Sequence, residues 1–446
     1  MARRSSPVAD ITSGRTRRML SVGRLTTSVG GSYLWQAIKR PFQSASRHER
    51  TLLETHIRNA QRVVARSKEL RGAFMKLAQM LSMRSDLLPA EALEVLSVVQ
   101  SSVPPMPWAR IRRVLAAELG APPEERFRRF EREAFAAASL GQVHRAELAR
   151  GQRVAVKVQY PGVAATVQQD LKNVKALLRV FTAMARDLAR QDVDTGEVAA
   201  ELEARLREEL DYLNEAANLE RFRRLLADDP EVVIPRVHPK LTTRRVLTME
   251  YLEGYPIQDI MAPGVDQALK DWVAEKLFRL LWRQVLELGA LHTDPHPGNY
   301  LVTHHPRLGL LDFGSVRLFE PDIRSGYLRL AEALLAHDDA GIAAACAALG
   351  FIGPHDDPGP MVKIMHVACE PLERDLRFDP RDYDLLARGA QMAEIALAHR
   401  IFRAPGHRVF LLRALVGLDA YLKAFGTVRN WHRLFREIVE HANGHA

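Results

Sequence analysis

The feature that most constrains this chain is a polar segment at 292–299, followed after an apolar stretch by Asp-Phe-Gly beginning at Asp312. The first segment reads His-Thr-Asp-Pro-His-Pro-Gly-Asn, so Asp294 lies five residues before Asn299, and Asn299 lies 13 residues before Asp312. Carboxylate and amide oxygens are hard donors of the kind that Mg²⁺ takes beside phosphate groups. Together, the two segments predict Asn299 and Asp312 as metal ligands, with Asp294 orienting or deprotonating an acceptor.

This order of residues is the one that protein kinases use for phosphoryl transfer. His292 is expected to organise the backbone of the loop, as the corresponding kinase histidine does. A kinase-like lobe also requires a strand-borne cation for the phosphates, and Lys157, within an otherwise apolar alternating run, fits that role. Because a buried ammonium is costly unless it is paired, a carboxylate from a following helix is expected, and Glu215 is the predicted partner. One continuous helix would place Asp211 and Glu215 on the same face at i,i+4, with Glu209 on another face.

Two further stretches occupy the positions of nucleotide-contacting segments. The turn before the lysine strand contains three alanines where kinases have a glycine-rich loop, and alanine does not adopt positive φ freely. This turn is therefore predicted to hold nucleotide differently from a glycine loop. The strand that starts at Arg245 ends where a kinase hinge offers backbone groups to adenine. The candidate residues are Ala136, Ala137, Ala138 and Ser139 in the turn, and Glu250 and Leu252 in the hinge.

Apolar periodicity divides the chain into helical and mixed regions. Residues 48–100 have helical spacing, three prolines between 101 and 107 interrupt it, and a helix is expected from Trp108 to Leu119 before Gly120. Strand-like runs and two long helical patterns at 163–189 and 195–226 follow. The pattern is mostly helical from 266 onward, with an interruption at 292–319. The predicted class is α+β, with a basic segment at 1–47, a helical extension at 48–107, an N-lobe at 108–252 and a helical C-lobe at 253–446.

The chain of 446 residues carries a formal charge of +9, which favours an anionic partner. Asp10 and Glu49 are the only acids among the first fifty residues. This bias is typical of a mitochondrial transit peptide, a basic amphipathic segment on an anionic membrane, or a solvated tail. Apolar runs are shorter than the ~20 residues of a membrane span, and two cysteines favour a reducing compartment. No recognised nucleic-acid motif occurs, so nucleic-acid binding ranks last.

These motifs together closely resemble the UbiB family of atypical kinase-like proteins. The family's helical extension bears a Lys-x-Gly-Gln motif, and here Lys76 and Gln79 match it while Ala78 replaces the glycine. The resemblance implies a bilobal protein-kinase-like fold with the N-terminal helical extension covering the active site. It further implies that Lys76 and Gln79 reach that site and that Glu209 and Asp211 engage the extension. Lys157, Glu215, Asn299 and Asp312 would hold ATP and Mg²⁺.

Family membership also implies a biological setting. The expected activity is ATP hydrolysis or phosphotransfer that supports isoprenoid quinone (ubiquinone) biosynthesis, with weak phosphorylation of proteins in trans because the extension occupies the substrate cleft. Lipid quinone precursors, quinone-biosynthesis proteins and a membrane surface are the expected partners. The expected location is cytoplasmic and membrane-peripheral, or on the matrix side of a mitochondrial membrane in a eukaryote. Two alternatives stay open: a small-molecule phosphotransferase of the aminoglycoside or choline kinase type, and a nucleotide-binding pseudokinase scaffold.

Overall fold

A computed structural model of the chain describes residues 106–138, 140–164, 206–383, 385–399 and 406–444, with Glu203, Ile401 and isolated positions between 28 and 62. Lys76, Gln79 and Ser139 lie outside the described residues, as does most of the predicted extension at 48–107. The chain divides into two compact units, one up to residue 214 with 238–250, the other 215–237 with 251 onward. None of the described helices is both long and apolar enough to cross a bilayer.

The helices are α1 Trp108–Leu119, α2 Pro123–Arg126, α3 Tyr212–Leu225, α4 Ile257–Met261, α5 Gln267–Leu286, α6 Pro321–Leu335, α7 Asp339–Ala348, α8 Gly359–Glu373, α9 Leu385–Ala398, α10 Gly406–Phe425 and α11 Trp431–Asn443. The strands are β1 Arg129–Phe130, β2 Ala136–Ala138, β3 Gly141–Glu147, β4 Arg153–Gln159, β5 Val232–Val233, β6 Val246–Glu250, β7 Gly254–Pro256, β8 Ala290–His292, β9 Tyr300–Thr303, β10 Leu308–Leu310 and β11 Val316–Leu318. Their mixture of helices and sheets agrees with the α+β prediction.

The first unit is built around an antiparallel sheet in the order β1-β3-β4-β6, with β2 paired to β3. Helix α1 has the predicted bounds and ends because Gly120 adopts φ +71°, a left-handed conformation that costs glycine little. Strand β4 is central and buried on both faces, with Val156 fully covered and Ala155 and Lys157 only 5% and 8% exposed. β4 has a sheet neighbour on each side, and its residues after Arg153 are buried.

A buried line of hydrogen bonds crosses this unit. The Met106 amide donates to Gln142 Oε1 (2.7 Å), and Gln142 Nε2 lies 2.9 Å from His144 Nε2. His144 Nδ1 lies 2.8 Å from the carbonyl oxygen of Glu131, which can only accept, so this nitrogen carries the proton and Nε2 accepts from the amide. Burial lowers the pKa of His144. The line therefore requires neutral His144 and connects the residues before α1 to strand β3.

The second unit packs its helices around α5. Trp282 contacts Phe435 of α11 with ring centroids 4.7 Å apart, and Phe278 contacts Trp431 at 4.9 Å. All four rings are buried, Trp431 and Phe435 almost completely, and each aromatic pair adds roughly 0.5–1.5 kcal/mol beyond its buried area. Two small sheets, β5-β10-β9-β7 and β11-β8, supply the strand ends between which the polar segments lie. The predicted interruption of the helical pattern at 292–319 is thus made of short strands.

Candidate active site

The polar segment that contains Asp294 joins strand β8, which ends at His292, to strand β9. Pro297–Asn299 forms one 3-10 turn, and its proline at the first position needs no backbone donor there. Asn299 Nδ2 donates to the backbone oxygen of Asp294 at 3.1 Å and to its Oδ2 at 3.2 Å. Since the amide nitrogen faces Asp294, the acceptor oxygen of Asn299 is the atom left to serve a cation.

Histidine side chains organise the backbone of this segment. His292 Nε2 hydrogen-bonds the carbonyl oxygen of Asp312 and must be the donor, because a carbonyl has no proton to give. The His292 amide donates to Gln284 Oε1 at 2.7 Å. His296 Nδ1 accepts from the Gly298 amide at 3.0 Å and so caps the 3-10 turn. The organising role predicted for His292 is confirmed, and His296 has a structural contact in the turn.

The Asp-Phe-Gly segment is fixed by both side-chain and backbone contacts. The Gly314 amide donates to Asp312 Oδ1 at 3.0 Å. Asn218 Nδ2 donates to the carbonyl oxygen of Phe313 at 3.1 Å, and the fully buried Phe313 ring lies 4.8 Å from that of Phe222. Residues of α3 therefore hold this segment in place.

Glu215, in the first turn of α3, lies close to the Asp-Phe-Gly segment, and its side chain is buried, with 2% exposure. A Cβ built on Gly314 would lie 3.2 Å from Asp312 Oδ1 and 3.9 Å from Glu215 Oε2. The second unit thus gathers Glu215, Asp294, Asn299 and Asp312, four of the residues predicted from the sequence.

The oxygen donors here fit Mg²⁺. Magnesium prefers oxygen ligands and usually takes only one or two protein groups, with phosphate and water completing its octahedron. Asn299 offers an amide oxygen whose partner nitrogen is already engaged. Asp312 offers a carboxylate on a backbone anchored by Asn218 and His292. A cation at these two residues would meet ligands that are already positioned before it binds.

Two contacts to the Asp294 segment come from α10 and were missed by sequence analysis. Arg413 Nη2 lies 2.6 Å from Asp294 Oδ1, and Tyr421 donates to the Pro295 carbonyl oxygen at 2.7 Å. Burial raises the pKa of Tyr421 above its ordinary value, so the hydroxyl stays a donor. The sequence offers no signal for these contacts, since both residues lie more than a hundred positions away in an ordinary helical pattern.

Lys157 is described within the first unit. Its Nζ lies 5.1 Å from the centroid of the Tyr212 ring, a cation–π distance. A Cβ on Gly141 would lie 2.8 Å from the Tyr212 hydroxyl and 2.3 Å from the carbonyl oxygen of Val158, so only glycine fits there. Tyr212 is thus a neighbour of Lys157 that the sequence did not indicate.

The predicted alanine turn is wrong in its bounds. Ala136–Ala138 form strand β2, with Ala136 opposite Val143 and Ala138 opposite Gly141. The three alanines therefore complete ladder hydrogen bonds, and the chain is still extended where the turn was expected to begin. Alanine has low strand propensity, but here the pairing with β3 determines the conformation.

The single helix predicted at 195–226 is also wrong, because the described part is interrupted at Leu210 and Asp211. Asp211 Oδ1 accepts from the Leu213 amide at 3.1 Å at the start of α3. Gln159 Nε2 donates to the Leu210 carbonyl oxygen at 2.8 Å. Asp211 thus precedes the helix and does not share a helical face with Glu215. Glu209 lies at the end of the preceding helical residues.

The two hinge candidates lie at the end of β6 and after it. Glu250 is the last residue of β6, opposite Val154 of β4, and is exposed. Leu252 belongs to the second unit, where its Cδ1 would lie 3.4 Å from a Cβ on Gly309.

A kinase-type loop, an Asp-Phe-Gly segment and an α+β scaffold define a kinase-like protein. The ABC1 atypical kinase-like domain matches residues 98–346, which is more than half of the chain. The chain therefore belongs to the ABC1 family of atypical kinase-like proteins, and the predicted resemblance to UbiB proteins is confirmed.

Named relatives share this assignment. The chain is 30% identical over 439 residues to "Atypical kinase COQ8, mitochondrial" of Saccharomyces cerevisiae, covering 96% of this chain and 86% of the relative. It is 32% identical over 415 residues to "Atypical kinase COQ8B, mitochondrial" of Rattus norvegicus, covering 91% and 77%. A solved structure, the Rv3197–erythromycin complex from Mycobacterium tuberculosis, is similar with a TM-score of 0.59 and 26% identity over 89% of this chain and 98% of that one. The kinase-like fold class is thus confirmed.

Proposed function

We propose that this chain is an ATP-binding, Mg²⁺-dependent kinase-like enzyme that hydrolyses ATP or transfers its terminal phosphoryl group. The observation that carries the proposal is the joint fixing of Asp294, Asn299 and Asp312 by backbone and side-chain hydrogen bonds within one unit. Phosphoryl transfer demands mainly positioning and neutralisation of charge, for which such a preorganised oxygen set is suited.

Each candidate residue has a role in this proposal. Asn299 and Asp312 would hold Mg²⁺, which would neutralise the phosphate oxygens, and Asp294 would orient the acceptor hydroxyl or water and take its proton. Lys157 would bind phosphate and Glu215 would support the nucleotide site, while β2 with Ser139, and the residues Glu250 and Leu252, would contact the nucleotide. Lys76 and Gln79 would be contributed by the extension, and Glu209 and Asp211 would engage it. An extension seated there favours water over a protein as the acceptor.

Mg²⁺-dependent ATP hydrolysis tests this proposal. Purified protein should release phosphate from ATP in the presence of Mg²⁺, and Asp312→Asn should reduce this release by at least about 100-fold because a charged metal ligand is lost. Asp322→Asn is a matched control, since Asp322 is an exposed aspartate in the first turn of α6. Equal turnover in Asp312→Asn and wild type would exclude the metal site proposed here.

We further propose that the activity supports isoprenoid quinone (ubiquinone) biosynthesis at a membrane surface. Similarity to the mitochondrial atypical kinases of the COQ8 group supports this assignment, and the acid-poor first fifty residues supply charge for an anionic surface. The test compares ATP hydrolysis with and without anionic liposomes for the whole chain and for a chain lacking residues 1–45. A response that survives the deletion, or no response at all, would contradict a role of this segment at the membrane.

A further inference from the structure

One face of α10 is directed at the Asp294 segment. Arg413, Gly417 and Tyr421 are four residues apart, so they lie in line along the helix. Arg413 pairs with Asp294, and Tyr421 donates to the carbonyl oxygen of Pro295. A Cβ on Gly417 would lie 2.3 Å from Pro295 Cβ, so the helix backbone approaches the segment as closely as glycine allows. Three consecutive turns of α10 therefore contact two adjacent residues.

The segment has no cation of its own near Asp294, because no lysine or arginine occurs between positions 293 and 299. Arg413 supplies one from 119 positions further along the chain. Its Nη2 holds Asp294 Oδ1 at 2.6 Å, while Asn299 Nδ2 holds Oδ2 at 3.2 Å. Each carboxylate oxygen is thus bound from a different direction, which restricts rotation of the carboxylate group.

The ion pair is partly shielded from water, with side-chain exposures of 18% for Arg413 and 26% for Asp294. Charge-assisted hydrogen bonds of this length are stronger and more directional than neutral ones. Among the residues that the structure describes, Arg413 Nε is buried without a hydrogen-bond partner. Leaving a buried donor unsatisfied is costly. The side chain of Arg413 therefore keeps its contact with Asp294 although this leaves Nε without a hydrogen bond.

We propose that Arg413 is a positioning residue for the reaction: it holds the Asp294 carboxylate in the one orientation that serves the acceptor. This inference rests on the proposed function of Asp294. It assigns part of the active-site organisation to a residue outside the stretch 98–346 that matches the family domain. Without the guanidinium, Oδ1 loses this ion pair and the carboxylate is held less firmly, so fewer encounters have productive geometry.

The test is steady-state ATP hydrolysis with Mg²⁺, together with binding of a fluorescent ATP analogue. Arg413→Gln should lower kcat by about 10- to 100-fold, the size of effect that misplacing a reacting group produces. KM and the analogue's Kd should stay within about twofold of wild type, since Arg413 is not proposed to touch the nucleotide. Arg413→Lys keeps the charge and should recover part of the lost kcat.

The matched control is Lys423→Gln, which removes an i,i+4 ion pair with Asp419 (2.8 Å) from the same helix. It should leave kcat unchanged. In an Asp294→Asn background, Arg413→Gln should add less than about a twofold loss, because the two residues act as one unit. A purely structural role of Arg413 predicts instead additive losses, weaker nucleotide binding and a lowered melting temperature.

The results distinguish a failure of the positioning role of Arg413 from a failure of the proposed ATP-dependent activity. If wild type binds nucleotide but neither hydrolyses it nor transfers its terminal phosphoryl group, both are refuted. If wild type hydrolyses ATP and Arg413→Gln keeps its kcat, only the positioning role is refuted. If Arg413→Gln does not fold, Arg413→Lys decides: a kcat equal to wild type with the shorter, non-forked side chain would overturn the proposal, and a lowered kcat at unchanged Kd would support it.

Discussion

Substituting alanine for Gly417 would test whether the position of the Asp294 segment limits turnover. The added Cβ would lie 2.3 Å from Cβ and 2.4 Å from Cγ of Pro295, whereas ordinary contact begins near 3.4 Å. The pyrrolidine ring cannot rotate away. Helix and segment must therefore separate by about 1 Å, a displacement large enough to cost about 100-fold in rate when it moves a reacting group.

The stability change should be smaller than the activity change. Overpacking of this kind costs about 1–3 kcal/mol, but alanine is favoured over glycine in a helix by about 1 kcal/mol. The net loss in the free energy of unfolding is expected to be about 0–2 kcal/mol. Urea denaturation and kcat for ATP hydrolysis, measured on the same preparation, would separate the two effects.

A matched substitution exists in the neighbouring helix. Gly389 of α9 has no atom within 4 Å of the position that a Cβ would take. Gly389→Ala should therefore raise stability by about 0.5–1 kcal/mol and leave kcat unchanged. If Gly417→Ala turned over as fast as Gly389→Ala and wild type, the close contact with Pro295 would have no bearing on the reaction, and the reasoning would fail.

Two further predictions concern the first unit. Gly141→Ala should destabilise it by about 1–3 kcal/mol because the new methyl group meets the Val158 carbonyl oxygen at 2.3 Å; an unchanged urea midpoint would show that β3 and β4 shift apart without cost. Burial lowers the pKa of His144 in the folded protein. The stability that depends on neutral His144 is therefore complete above the pKa of the unfolded chain, near 6.5. It is lost as the pH falls below that value, with a slope of at most about 1.4 kcal/mol per pH unit. His144→Gln should lower the stability at pH 7 but flatten the decline between pH 6.5 and 5, and equal slopes in both proteins would contradict the assignment.

The chemistry-bearing segments could be predicted from the sequence because their residues are close along the chain. The Asp294–Asn299 contact lies within one loop, and helix α1 ends at Gly120 as its pattern indicates. The hydrogen bond from His292 to the Asp312 carbonyl was also foreseen in kind, as a backbone-organising contact. Local rules of turn chemistry and helix termination are sufficient for such features.

Other features depend on partners that periodicity cannot supply. The charged pattern continues through Leu210 and Asp211, yet the helix is interrupted there because Gln159 holds the Leu210 carbonyl and Asp211 caps the next helix. The three alanines of β2 become a strand through pairing with β3. The pairing of Arg413 with Asp294 arises from the way α10 packs, which no local pattern encodes.

The contacts of α10 also bear on how this protein should be divided for expression or for grafting onto another chain. A fragment ending at Cys346, where similarity to the family domain stops, would retain every acidic and amide group proposed to act on ATP. It would lack the helix that carries Arg413 and Tyr421, and the Pro295 carbonyl and Asp294 Oδ1 would lose these partners. The smallest piece that preserves this site therefore extends at least to the end of α10, well beyond the boundary of the family-domain match.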